Sequence, residues 1–192
     1  MGREFELKFA ATAGVQAAIA EKYGTFRKIS METTYFDTPT RILSRLHVTL
    51  RRRMENNVSV CTVKVGQADG SKGEWEVEWD DPTTMVQELC KYGAPQSLEL
   101  LTATGIMPIC GAKFTRLAKT LDLPGGSVEL ALDEGILLGG NRQIPLCEVE
   151  VELKSGPDDV AMDFAAALAE EFSLLPEKRS KFQRAKQLAE GD

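Results

Sequence analysis

The chain has 192 residues, of which 43% are hydrophobic, and its formal net charge is −6. This length predicts a single domain over residues 1–192, and the hydrophobic fraction is sufficient for a globular core. The negative net charge argues against general nucleic-acid binding, which depends on neutralising phosphates with basic side chains.

The sequence shows neither a membrane span nor a zinc motif. No apolar run approaches the roughly 20 residues that cross a bilayer, and a strand pattern starts near the N-terminus without an apolar signal-peptide region. The four cysteines are scattered without C-x-x-C spacing, and His47 is the single histidine, so a zinc site is not expected. We therefore expect a cytoplasmic protein with no membrane partner.

Strands dominate the first half of the chain. Charged and apolar residues alternate over residues 4–9, which predicts a strand with Glu4, Glu6 and Lys8 on one face. Thr12 is expected to cap a helix that runs to Tyr23. Four further strands are predicted at residues 32–36, 47–54, 58–65 and 73–79, and a flexible hairpin loop is predicted at residues 66–73.

The second half of the chain alternates between helices and strands. Helical segments are predicted over residues 82–92 and 97–104, followed by a strand hairpin of residues 112–122 and 127–133. A strong strand is predicted over residues 146–154. Asp158 or Asp159 is expected to cap a helix that Pro176 terminates, and Ser180 to cap a final short helix. The order of elements predicts the α+β class.

Rows of charge on one face recur along the predicted strands. After residues 4–8, the pattern appears at residues 50–53, 62–64, 74–78, 129–133 and 148–152. The charged face of one isolated strand ordinarily lies in water, but the same design on six strands suggests a barrel with a polar lumen. A lumen that carries both carboxylates and basic groups suits a polyanion with a bound metal.

Several short motifs together resemble the CYTH domain, the family of triphosphate tunnel metalloenzymes. The motifs are E-x-E-x-K (Glu4–Lys8), Y-F-D-T (Tyr35–Thr38), L-R-R-R (Leu50–Arg53), T-V-K (Thr62–Lys64), E-W-E (Glu74–Glu76) and E-V-E-V-E (Glu148–Glu152). The resemblance is closest to the bacterial inorganic triphosphatases. It implies an eight-stranded antiparallel β-barrel with flanking helices, which binds a triphosphate through basic side chains and a divalent metal through glutamates.

Two rows of carboxylates are the candidate metal ligands. Glu4 and Glu6 lie about 7 Å apart on one strand face, and Glu148, Glu150 and Glu152 repeat that spacing. Such carboxylates repel one another unless a cation lies between them, and all-oxygen ligands suit Mg²⁺ or Mn²⁺ better than zinc. The alternative is that each row faces solvent. Supporting acidic roles are assigned to Glu74, Glu76, Glu129 and Asp133.

Basic residues on the same strand faces are the candidate phosphate ligands. The residues assigned to substrate binding are Lys8, Arg51, Arg53, Lys64, Lys72, Arg116, Lys181 and Arg184. A guanidinium can bind phosphate oxygens bidentately, whereas lysine supplies a point charge. Lys181 and Arg184 are three apart and share a helical face. The alternative, a basic edge that prevents aggregation, is more suitable for Arg52.

The resemblance implies hydrolysis of tripolyphosphate to pyrophosphate and phosphate, with Mg²⁺ or Mn²⁺ as cofactor. The catalytic residues that it implies are Glu4, Glu6, Lys8, Arg51, Arg53 and Lys64. An adenylyl cyclase, a thiamine triphosphatase and a non-catalytic polyphosphate- or nucleotide-binding module remain alternatives. The sequence departs from the family pattern at Lys72, where an arginine is usual, at Phe114, where a lysine is common, and at Arg52, which is usually apolar.

Overall fold

The computed structural model describes residues 5–66 and 72–191, with the backbone alone for Lys72. Glu4, the side chain of Lys72 and most of the predicted loop over residues 66–73 therefore lie outside the described residues.

One antiparallel sheet organises the fold. Its strands follow the order β5-β4-β3-β2-β6-β7-β8-β1-β9 within the described part of the chain. The strands are β1 (Glu6–Ala10), β2 (Arg27–Asp37), β3 (Val48–Glu55), β4 (Val58–Gly66), β5 (Lys72–Glu78), β6 (Met107–Leu123), β7 (Gly126–Gly139), β8 (Arg142–Ser155) and β9 (Leu175–Pro176). Every neighbouring pair is antiparallel.

The predicted α+β class and the antiparallel sheet are confirmed, but the sheet is not a closed barrel of eight strands. It has nine strands, and among the described residues β5 pairs with β4 alone while β9 pairs with β1 alone. β9 has only two residues, and its Pro176 has no N–H to donate to a further strand. The sheet therefore keeps two edges, at β5 and at β9.

Six helices accompany the sheet in residues 5–66 and 72–191. They are α1 (Ala13–Tyr23), α2 (Ile42–Arg45), α3 (Met85–Lys91), α4 (Ser97–Leu101), α5 (Asp158–Phe172) and α6 (Lys181–Glu190). The Thr12 side chain accepts a hydrogen bond from the Val15 backbone N–H and caps α1 as predicted. In the described ranges, we find no helix whose length and apolarity would let it cross a membrane.

Two hydrophobic clusters lie on one face of the sheet, which we call the outer face. In the first, Leu50 and Val63 of β3 and β4 pack with residues of α3 such as Leu89. In the second, residues of β7, β8 and β1 pack with α1 and α5, for example Val149 with Leu168. Because side chains alternate along each strand, burial of these apolar residues turns the intervening charged residues to the opposite, inner face.

Helix α6 packs on the inner face against β6, β7 and β8. Its first turn is fixed by a capping box, in which Ser180 Oγ accepts from the Gln183 N–H at 3.1 Å and Gln183 Oε1 accepts from the Ser180 N–H at 2.7 Å. The ring centroid of Phe182 lies 5.0 Å from that of Tyr35 on β2. A Cβ on Gly139 would lie 2.4 Å from the backbone N of Ala189, so this glycine permits close approach of the helix. The first residue of α6 consequently reaches the charged part of the inner face.

Candidate functional site

The strand register brings the predicted acidic residues together on the inner face. Across β7 and β8, Asp133 lies opposite Glu148 and Glu129 lies opposite Glu152. Across β1 and β8, Glu6 lies opposite Glu152. Residues directly opposite in neighbouring antiparallel strands share a face and lie close enough to interact.

The basic candidates occupy the same face. Lys8 on β1 lies opposite Glu150, and Arg116 on β6 lies opposite Asp133. Arg51 and Lys64 lie opposite Thr62 and Thr49, respectively, and Lys64 also lies opposite Glu74 on β5. The inner face therefore carries cations and carboxylates on adjacent strands.

Arg52 points the other way, as the alternation along β3 predicts. Its Nε donates to Ser59 Oγ at 2.8 Å, and its Nη2 pairs with Asp80. Arg52 lies opposite Cys61, whose side chain belongs to a hydrophobic cluster of the outer face. Arg51 and Arg53, at odd positions of the same run, are thus separated from Arg52 by the sheet.

A buried cluster of three carboxylates, Asp133, Glu148 and Glu150, forms the centre of the acidic region. One oxygen from each residue lies within 4.8 Å of the others, and the three residues are 0%, 0% and 6% exposed. Spacing and chemistry fit a hard divalent cation, which prefers oxygen ligands. We call this set the carboxylate cluster. Asp133, assigned a supporting role from the sequence, lies inside it.

The two other predicted metal ligands that the structure describes, Glu6 and Glu152, lie beside this cluster. Glu6 Oε1 accepts from Lys8 Nζ at 3.0 Å, and Glu152 Oε1 lies 2.8 Å from Lys154 Nζ. Both carboxylates are more exposed than the cluster, with side chains 31% and 26% exposed. They are positioned at its margin along β1 and β8.

Cations neutralise the carboxylate cluster from two directions. From β6, Arg116 donates from Nε and Nη2 to the two oxygens of Asp133, each at 2.7 Å, and also pairs with Glu150. From α6, Lys181 Nζ lies 2.8 Å from both Asp133 Oδ2 and Glu150 Oε1 and pairs with Glu148. Arg184 adds a pair to Glu148. Lys181 and Arg184, predicted phosphate ligands, therefore contact carboxylates in this structure.

These contacts shift the pKa values of the buried carboxyls in opposite directions. Burial raises the pKa of Glu148, and the nearby charge of Glu150 adds to this, outweighing its cationic partners. Burial opposes ionisation of Glu150 too, but the charges of Lys181 and Arg116 hold its pKa far below the usual range. Burial likewise opposes the charge of Lys181, yet the surrounding carboxylates raise its pKa.

The basic strands β3 and β4 form the other part of the inner face. Arg51 Nη2 lies 3.7 Å and Lys64 Nζ 3.1 Å from oxygens of Glu74. Thr62 Oγ1 donates to Glu76 Oε2 at 2.9 Å. Burial, and after it the neighbouring charge of Arg51, lowers the pKa of Arg53. Several cations on one face of a sheet favour an anionic ligand.

Asp37 in the Y-F-D-T motif has a structural role at the turn that follows β2. Its carboxylate is fully buried and accepts from the backbone N–H groups of Thr38, Leu43 and Ser44 at 2.7, 3.0 and 3.0 Å. These bonds satisfy free N–H groups of the α2 turn. This motif residue therefore fixes the turn that follows β2.

Comparison with known families identifies the fold and its relatives. The CYTH domain model matches residues 2–185. This chain belongs to the CYTH domain family. A curated relative, the inorganic triphosphatase of Haemophilus influenzae, is 25% identical over 193 residues, covering 96% of this chain and 54% of the relative. The chain thus spans about half the length of that curated relative.

Solved structures with the same fold include proteins named as cyclases. A candidate adenylate cyclase from Bacillus halodurans superposes with a TM-score of 0.70 at 19% identity, over 96% of this chain and 98% of its own. A candidate adenylyl cyclase from Hippeastrum, described as having a dominant triphosphatase activity, gives a TM-score of 0.69 at 15% identity, over 97% of this chain and 96% of its own. At these identities the likeness shows the fold.

Proposed function

We propose that this CYTH domain hydrolyses inorganic triphosphate to pyrophosphate and phosphate with the help of Mg²⁺ or Mn²⁺. The observation that supports this most directly is the meeting of a buried carboxylate cluster with a row of arginines and lysines on one face of the sheet. A polyphosphate needs the basic groups, and a divalent ion needs the carboxylates. The carboxylates alone would suit a cation site, and the basic residues alone would suit an anion site.

In this proposal the basic residues bind and orient the phosphate chain. Arg51 and Arg53 supply guanidinium forks, while Lys8 and Lys64 supply point charges. Arg116, with Lys72, Lys181 and Arg184, completes the basic set. Phosphoryl transfer requires positioning and stabilisation of negative charge more than a covalent catalyst, and this set of side chains meets that requirement.

The carboxylates are proposed to hold the metal. Asp133, Glu148 and Glu150 are the inner candidates, and Glu6 and Glu152 extend the set along β1 and β8. Glu4, which lies outside the described residues, is included from the sequence pattern alone. When bound, a divalent ion neutralises charge on phosphate oxygens. Glu74, Glu76 and Glu129 are proposed to keep the basic side chains oriented, since Glu74 already pairs with Arg51 and Lys64.

The name of the Haemophilus influenzae relative supports a triphosphatase activity, and the choice of inorganic triphosphate over an organic one is our own inference. The many basic side chains and the absence of a recognisable base-binding motif in the sequence favour the inorganic substrate. The adenylate cyclase names among the solved relatives favour a second candidate, cyclisation of ATP at the same site.

The test is a comparison of purified protein on tripolyphosphate, ATP and thiamine triphosphate, each with Mg²⁺ or Mn²⁺. We expect tripolyphosphate to give the highest kcat/KM and chelation of the metal to abolish phosphate release. Arg52→Ala, on the outer face, is the matched control and should keep full activity. Cyclic AMP formation from ATP with little phosphate release would favour the cyclase, and tight binding without turnover would favour a binding module.

A further inference from the structure

Lys181 occupies the centre of the carboxylate cluster. Its Nζ lies 2.8 Å from Asp133 Oδ2 and 2.8 Å from Glu150 Oε1, and it also pairs with Glu148. The Lys181 side chain is only 10% exposed. A single ammonium group therefore contacts all three carboxylates whose spacing suits a divalent ion.

The negative charges of the carboxylate cluster are already matched by three cationic side chains. Three carboxylates are paired with Arg116, Lys181 and Arg184 in the described part of the chain. A divalent ion that bound the same oxygens would lie within a few ångströms of the Lys181 ammonium. Two cations so close in a buried site repel strongly, so the two positions exclude each other.

We propose that Lys181 is an internal counter-ion that competes with the divalent metal for the carboxylate cluster. This inference rests on the metal site of the proposed function. In the metal-free protein the ammonium holds the three carboxylates together. Metal binding then requires the ammonium to leave, which frees a mobile cation beside the position proposed for the phosphate chain.

Among the three cations, the geometry points to Lys181 as the one that leaves. Arg116 is held by a bidentate contact to Asp133 from within β6, and Arg184 pairs with Glu148 alone among the three carboxylates. Lysine carries a compact charge on a flexible four-carbon stem. We therefore expect a change of the Lys181 side-chain rotamer to withdraw the charge.

The rest of α6 is anchored independently of the ammonium. Ser180 caps the helix, Phe182 contacts Tyr35, and Ala185 is fully buried. Because none of these three contacts involves the ammonium, its release does not require release of the helix. The ammonium itself has a further contact, a cation–π interaction with Phe114, whose ring centroid lies 5.2 Å from Lys181 Nζ; this contact favours its present position.

The test is calorimetric titration of Mg²⁺ and Mn²⁺ into wild type, Lys181→Met and Lys186→Met. Lys186 is the matched control because it lies on the same helix and pairs with Glu190 at 3.5 Å, away from the cluster. Lys181→Met should bind metal at least about tenfold tighter than wild type, and its Tm should rise more on metal addition. Lys186→Met should match wild type.

The outcomes distinguish this inference from the proposed function. Unchanged or weaker metal affinity in Lys181→Met, with wild type still binding metal, would overturn the competition alone. Failure of all three proteins to bind either metal would overturn both the competition and the metal-dependent function. If Lys181→Met does not fold, lysine-selective ¹⁵N NMR of wild type decides: the protected Lys181 ammonium resonance should disappear on saturation with Mg²⁺, and its persistence would refute competition.

Discussion

Arg116 and Asp133 form a bidentate pair across β6 and β7, with Nε–Oδ1 and Nη2–Oδ2 distances of 2.7 Å. Asp133 is fully buried, and its carboxylate contacts both Arg116 and Lys181. Arg116 also pairs with Glu150. The pair thus joins the basic and the acidic strands at the site where both kinds of group are proposed to act.

Arg116→Ala should destabilise the metal-free protein by about 3–5 kcal/mol, because it leaves buried carboxylates without their partner. The free energy of unfolding in urea at neutral pH measures this. Lys113→Ala is the control on the same strand, since Lys113 pairs with Glu32 at 2.8 Å and both side chains are 54% exposed. Lys113→Ala should lower the free energy of unfolding by less than about 1 kcal/mol. Equal losses would show that Arg116 has no special structural role.

Arg51→Ala and Arg53→Ala should each weaken binding of tripolyphosphate strongly, whereas Arg52→Ala should not. The first two side chains share the inner face, and Arg52 binds Ser59 on the outer face. The rise in Tm on adding tripolyphosphate reports binding to the folded state. A loss of this response in Arg52→Ala, with a normal response in Arg51→Ala, would contradict the proposed phosphate site.

Glu6→Gln should abolish hydrolysis and leave the fold intact. Its side chain is 31% exposed, so the loss of charge costs little stability, while loss of a group that stabilises transition-state charge costs about 3 kcal/mol. The assay is phosphate release under limiting metal, with circular dichroism to check the fold. The exposed Glu134 on β7 provides the control Glu134→Gln, which should be fully active. Near-normal turnover of Glu6→Gln would remove Glu6 from the site.

The stability of the metal-free protein should depend on Glu150 at acidic pH. The pKa of Glu150 is held well below its ordinary value of 4.5. Its contribution to stability is therefore complete above pH 4.5 and is lost as the pH falls towards the lower folded-state pKa. We expect the free energy of unfolding of wild type to fall over this acidic range more steeply than that of Glu150→Gln. If the free energies of unfolding of the two proteins changed in parallel with pH, Glu150 would not be the source of this pH dependence.

The sequence alone determined which side chains of a strand share a face. A strand repeats every two residues, so the orientation of Arg52 opposite to that of Arg51 and Arg53 follows from local alternation. The caps at Thr12 and Ser180 are equally local, because each side chain bonds a backbone N–H three residues away. The structure confirms all of these.

The capping of helix α2 could not be predicted from the residues next to the helix. Its N-cap position is Arg41, with φ of 58° and no side-chain capping bond, and the capping bonds come instead from Thr38 and Asp37. A cap that lies several residues before the helix leaves no adjacent sequence signature. The open edges of the sheet were also not predictable, because they depend on whether two strands distant in sequence meet.

The composition of the carboxylate cluster was decided by the tertiary structure. Asp133 meets Glu148 through the register of two long strands, and Lys181 reaches them from a helix that follows 31 residues after Glu150. Alternation fixes the face of a residue but not its partner across the sheet, since a shift of two residues in register keeps every face and changes every neighbour. The residues that share the charged face were therefore readable from the sequence, whereas the contacts that neutralise the cluster required the folded chain.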